Sequence, residues 1–207
     1  MSYSQTINSA LRRVPAWPLY FIAVVPAFWF LYLGLTGGRG AEPIKALEQE
    51  LGRFALKLLI VVMAITPLRM ATGVSLIKYH RALGLVVVFY ISMHLLVWLV
   101  LDVQNLGRVW ADIVKRHYIT IGMAAFALMI PLAITSNNWS IRKMGPVGWK
   151  RLHWLTYLII VLGAVHFVML RKAWQIQPLI YLGIALALLA MRLKWKQMRA
   201  RARVSQQ

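Results

Sequence analysis

Cysteine is absent, and there are only five acids: Glu42, Glu48, Glu50, Asp102 and Asp112. The first absence excludes a disulfide scaffold, thiolate catalysis, thiolate haem ligation and cysteine-bound clusters. Charge is scarce overall. Charged residues make up 14% of the 207 residues, against roughly a quarter in an ordinary globular domain. The chain is 60% hydrophobic, far too apolar for disorder. Yet 24 Lys and Arg give it a net charge of +19. A soluble nucleic-acid binder could carry that charge, but it would not set its basic residues between apolar runs of about twenty residues. Nucleic acid is therefore not an expected partner. What the composition leaves is an integral membrane protein with basic ends and lipid as its surroundings.

A spanning helix needs about 20 apolar residues, and six stretches qualify. They run from about Trp17 to Leu35, Phe54 to Leu68 (accepting Lys57 near one end), Leu83 to Leu101, Tyr118 to Thr135, Leu152 to Leu170 and Trp174 to Leu193. The expected fold is an all-α, six-span bundle forming one domain over residues 1–207, with no separate soluble catalytic domain. The first stretch follows Arg12 and Arg13 like a signal peptide. It contains Pro18 and Pro26, however, and ends in Thr36-Gly37-Gly38-Arg39-Gly40 instead of a small-x-small site, so it reads as a retained helix.

Basic residues orient such a bundle. With both termini in the cytoplasm, fifteen Lys and Arg fall inside, among them Arg81, Lys150, Arg151 and the tail after Leu193. Nine fall outside, and so do all five acids, giving +15 inside and +4 outside. The opposite orientation would put the basic excess outside. The basic tail also suits an anionic inner leaflet.

The five histidines are the source of hard chemistry. An ionisable group within a span is costly to place there and points to function, and neutral imidazole is a good haem-iron ligand. His80 and His94 lie at the inner start and in the outer half of the third span; His153 and His166 do the same in the fifth. Both spans run from inside to outside, so His80 is level with His153 and His94 with His166. The two histidines of each span are separated along its helix by about 20 Å. A step of 14 residues returns to about 40° from its starting face, whereas a step of 13 lands about 140° away, so the fifth helix must bend or its histidines must differ in reach. Gly163, between its two histidines, offers one place for that.

His94 with His166 is the deeper pair and the primary candidate for bis-histidine haem ligation. His80 and His153 sit beside Arg81 and Arg151, where a solvated or phosphate-binding histidine is equally natural. His117 follows Lys115 and Arg116 at the border of the fourth span and reads as a surface residue. Aromatics at the span ends fit an interfacial belt. Gly34, Gly84, Gly122, Gly163 and Gly183 suit close helix approach or leave room for a flat macrocycle. Arg81 and Lys150-Arg151 could meet propionates or a flavin phosphate, though inner-face charge bias accounts for most such residues.

Three stretches carry a family resemblance. "LIKYHRALGLVVVFYISMHLLVWLVLD", "KRHYITIGMAAFALMIPLAITS" and "GWKRLHWLTYLIIVLGAVHFVML" resemble helices three, four and five of the MsrQ (YedZ) family, haem-binding membrane subunits within the ferric-reductase-like transmembrane superfamily. The resemblance covers nearly the whole chain. It implies a b-type haem between helices three and five, an associated FMN, and electron delivery across the bacterial inner membrane. The donor would be the quinone pool or a cytoplasmic flavin reductase. The acceptor would be a periplasmic molybdopterin subunit that reduces methionine sulfoxide in damaged envelope proteins. The family's important histidines fall on His94, His153 and His166. His80 stands where the family carries Arg, which gives the four-histidine pattern of two-haem relatives and leaves the count open between one haem and two. His117 stands where the family carries Pro.

Two other functions compete. A self-contained ferric or cupric reductase, or a superoxide-forming oxidase, would carry a cytoplasmic flavin and nicotinamide domain. A His-based proton-coupled transporter would need acids within its spans, and the spans as read contain none.

Overall fold

A computed structural model describes residues 3–38, 40–170 and 175–204, with backbone only from 195 onward. Trp174, where the sixth span is expected to begin, lies outside the described residues, as do Arg39, Arg171 and Lys172; so do the side chains of the basic tail beyond Lys194. Every regular element among the described residues is helical: α1 (Tyr3–Arg13), α2 (Pro18–Leu35), α3 (Pro43–Thr72), α4 (Ile77–Leu96), α5 (Leu106–Lys115), α6 (His117–Ile134), α7 (Asn138–Leu152), α8 (Leu155–Met169) and α9 (Ile176–Val204). Five segments are long and apolar enough to cross a membrane, and six if the bent pair α7–α8 counts as one. The chain is a multi-pass membrane protein. Its surface agrees: Phe21, Val25 and Phe28 on α2 are each more than 60% exposed, as side chains facing lipid would be.

α3 is the central helix, packed against α2, α4, α8 and α9. It is longer than the sequence suggests, because Pro43 starts it one turn-defining step after Glu42 and Gly73, with φ of 76°, ends it. Its buried residues Leu47, Leu51, Ala55 and Leu59 recur every fourth position and so form one stripe. This early start has a consequence. Glu48 and Glu50 are helical residues, not loop residues, which corrects the expectation that every acid lies in a loop.

The third span also departs from expectation. α4 passes after Leu96 into a π-helical segment, Val97–Val103. The Gln104 N–H bonds the Leu99 carbonyl, five residues back, and Gln104 itself adopts φ of 57°, which stops the helix. The fifth span breaks at His153–Trp154 with a bend of 41° between α7 and α8. The expected adjustment at Gly163 does not occur, since α8 runs through it. The break is local chemistry: Thr156 Oγ1 and N–H both bond the His153 carbonyl. Upstream, Gly145 at φ 72° kinks α7 ahead of Pro146.

α1 and α5 are additional to the six spans. α1 packs against the α3–α4 connection: Asn8 donates to the Gly73 carbonyl and accepts from Ser75 N–H, and Tyr79 Oη donates to Leu11 and Val14 carbonyls. α5 is capped by Asn105, which accepts from Arg108 N–H. Between the helices the core comprises Leu59, Val62, Met63, Val87, Met129, Leu132, Ile159, Ile160, Ala185 and Leu188. Tyr90, fully buried in a second cluster with Leu47 and Leu51, sends its hydroxyl to the Ala23 carbonyl of α2.

Candidate functional site

Two cavities lie along the bundle, and each is lined by one histidine of α4 and one of the α7–α8 unit. His94 and His166 line a cavity of about 220 Å³. His80 and His153 line another of about 120 Å³. Leu59, Met129 and Ile159 line both, so three apolar side chains from α3, α6 and α8 form the wall between them. His117 is exposed at the start of α6 and lines neither.

In the larger cavity the rings of His94 and His166 have centroids 6.3 Å apart and planes at 79°. His94 Nδ1 is 2.9 Å from the Glu48 carbonyl oxygen on α3, and His166 Nδ1 is 2.7 Å from that of Tyr118 on α6. A carbonyl can only accept, so both Nδ1 atoms carry the proton and donate. Both Nε2 atoms are thereby left as open lone pairs, the tautomer of a metal-ligating histidine.

The separation matters. A ligating nitrogen about 2 Å from a metal puts the imidazole centroid about 3 Å from it, so two opposed ligands have centroids about 6 Å apart. No group of three or more His, Asp or Glu converges among the described residues. Two facing imidazoles over an apolar cavity suit a metal that brings its own planar donors, which is what a haem does. The residues present therefore fit that group.

The rim of this cavity is charged. Lys45, Glu48, Arg53, Asp102 and Arg116 line it. Lys45 pairs with Glu42 at 3.0 Å, Arg116 with Asp112 at 3.2 Å, and Arg53 with Glu50. The presence of Glu48 and Asp102 on the wall removes the premise that a histidine relay here would lack acids. The case against a relay rests instead on the two Nε2 atoms, which carry no proton to pass on while both Nδ1 protons are held by carbonyls.

The smaller cavity is organised differently. His153 Nδ1 is 3.1 Å from the Trp149 carbonyl of its own chain segment, and the Trp149 ring stacks on it at 3.7 Å. Trp149 is anchored in turn, its indole N–H donating to the Thr135 carbonyl at 2.9 Å. Arg81 and Ser136 share the lining, and Arg81 is held by Asn138. Lys150 and Arg151 are exposed and do not line it.

Sequence reasoning missed three contributors. Gly52 lies against His94, and a Cβ there would be 3.1 Å from its Nδ1. Arg192 on α9 donates 2.7 Å to the Met63 carbonyl. That carbonyl is free because Pro67, four residues on, has no N–H to give it. Trp149, the neighbour that holds His153, carries no signal in the sequence that separates it from the belt aromatics. The Pro67 position was the one legible signal, since a proline inside a span leaves a carbonyl needing a donor.

A multi-pass helical membrane protein with histidine-faced cavities between its helices is the class that fold and site define. Residues 51–164 match the family described as "Ferric reductase like transmembrane component". The chain is 47% identical, over 91% of its own length and 86% of the relative's, to the protein-methionine-sulfoxide reductase heme-binding subunit MsrQ of Brucella anthropi. It is 49% identical to the proteins of the same name in Brucella ovis and Brucella canis, over 89% of this chain and 84% of each relative. The chain belongs to the ferric-reductase-like transmembrane family, in its MsrQ branch.

Proposed function

We propose that this chain is the b-type haem subunit of a methionine sulfoxide reductase system in the bacterial inner membrane, acting as one domain over its whole length. It takes electrons from the quinone pool or a cytoplasmic flavin reductase and delivers them to a periplasmic molybdopterin-containing reductase subunit. The outcome is repair of oxidised periplasmic proteins. The observation that carries this reading is the facing pair His94 and His166 with both Nε2 atoms open, and the names of the relatives agree with it.

Haem bound there supplies one-electron chemistry. The chain's own residues do the rest. The Glu48 and Tyr118 carbonyls hold the proton of each ring on Nδ1 and fix the orientation of the imidazoles. Leu56, Phe126 and Phe167 line the cavity and keep its dielectric low, which sets the potential. Lys45, Arg53 and Arg116 supply rim cations for the two carboxylates of a haem. With His94 and His166 both as ligands, a haem there would serve electron transfer instead of oxygen activation. His153, held by Trp149, with His80 across the smaller cavity, is the proposed second ligand set. The orientation follows the basic residues, with both termini cytoplasmic, so the His94 end faces the periplasmic partner. FMN is proposed on the family resemblance alone.

The test is a reduced-minus-oxidised spectrum of purified protein with haem per chain. A b-type, six-coordinate low-spin spectrum that is lost in His94→Ala and His166→Ala is the expected result. Unchanged haem content in both variants sinks the reading.

A further inference from the structure

We infer that Gly52 and Gly122 are positioning residues: each opens one helical carbonyl so that an imidazole from another helix can be seated on it. The inference rests on the haem reading above and deepens it.

The two acceptors, Glu48 on α3 and Tyr118 on α6, lie within helices. There the carbonyl of residue i already receives the N–H of residue i+4. A second lone pair is available, but access to it is normally blocked. Cα–Cβ bonds tilt toward the helix N-terminus, so the side chain of residue i+4 covers the turn that carries carbonyl i. Four residues after Glu48 comes Gly52, and four residues after Tyr118 comes Gly122. The same arrangement thus occurs on two helices whose local sequences are otherwise unlike.

The space each glycine leaves is filled by the ring it serves. A Cβ on Gly122 would lie 2.8 Å from His166 Nδ1 and 3.0 Å from its Cε1. A Cβ on Gly52 would lie 3.1 Å and 3.2 Å from the same atoms of His94. No other glycine among the described residues lies against a histidine ring. Gly84 and Gly183 have nothing within 4 Å of the added carbon, and the nearest atom to one on Gly163 is 3.9 Å away on Leu56. An alanine at position 122 must push the ring away from its carbonyl, and one at position 52 makes its ring yield by a few tenths of an ångström. This frees the Nδ1 proton, turns the imidazole plane and alters the basicity of Nε2.

The experiment uses the full-length protein with haem, comparing Gly122→Ala, Gly52→Ala, Gly183→Ala and His166→Ala. The readouts are haem per chain, the low-temperature EPR signal of the low-spin iron and the midpoint potential. The parent, with ring planes near perpendicular, is expected to show a strongly anisotropic low-spin signal. Gly122→Ala weakens haem retention by about tenfold or more. Gly52→Ala keeps its haem, with a displaced EPR signal and midpoint potential, since its neighbour needs to yield only slightly. Gly183 lines neither cavity, and Gly183→Ala matches the parent. Parent-like EPR and potential in Gly52→Ala overturn the inference, even if Gly122→Ala fails to accumulate. So does a Gly183→Ala variant disturbed as much as either. If His166→Ala loses haem while both seat variants are unchanged, the seating fails and the haem reading stands. If His166→Ala keeps its haem, the haem reading itself fails.

Discussion

The two cavities each take one histidine from α4 and one from the α7–α8 unit, but they hold them by different means. In the larger cavity, each ring is tied to a carbonyl of a different helix, Glu48 of α3 or Tyr118 of α6, and lies against a glycine of that helix. Four helices fix two rings. In the smaller cavity, His153 is tied to Trp149 one turn earlier in its own segment, at a break in the helix. That hold is local and depends on Trp149 keeping its own bond to Thr135. His80, in turn, meets a backbone group of Val62 on α3. Both rings of the larger cavity are therefore held across helices, whereas in the smaller one the hold on His153 is a short sequence motif. A ring locked by another helix should hold its cofactor in a single geometry, whereas one locked by its own segment should be more tolerant.

This contrast can be broken in four ways, from the largest effect to the smallest. His94→Ala or His166→Ala should remove the haem of the larger cavity and the strongly anisotropic EPR signal together. His153→Ala should remove roughly half of the haem if each cavity holds one, while the anisotropic signal survives. Loss of that signal in His153→Ala would show that the cavities are not independent. Arg192→Met strands the Met63 carbonyl near the wall between them. It should cost about 1–3 kcal/mol, read as a lower melting temperature in detergent, with the spectrum of the His94 site unchanged. Tyr90→Phe removes the hydroxyl bonded to Ala23 and should cost about 1 kcal/mol, again with no spectral change. A spectral change in Tyr90→Phe would mean that α2 helps shape the haem site.

Much of the architecture was legible in the residues. Apolar runs marked the spans, and the placement of His80, His94, His153 and His166 in two of them marked the candidate site. The angular conflict between His153 and His166 also foretold a bend in the fifth span, though not its position. Gly163 was the natural suspect because glycine weakens helices. The break falls instead at His153–Trp154, where Thr156 and Trp149 satisfy the released backbone and ring groups. Helix starts were harder to read. Lys45, Glu48 and Arg53 look like loop residues by polarity, but Pro43 begins α3 ahead of them. That early start is what brings the Glu48 carbonyl to His94.

The sequence by itself determined that this is a membrane protein, which segments are apolar enough to cross, how charge is distributed between their ends, and where the histidines fall along them. These follow from composition and from rise per residue, which are properties of one helix at a time. Only the tertiary structure decided that His94 faces His166 with open Nε2 atoms, that Glu48 and Tyr118 supply the carbonyls, and that Gly52 and Gly122 make room. These depend on how each helix is rotated about its axis and where it breaks. Such rotations are set by packing between helices, through small residues and single hydrogen bonds, in surroundings as apolar as the side chains themselves.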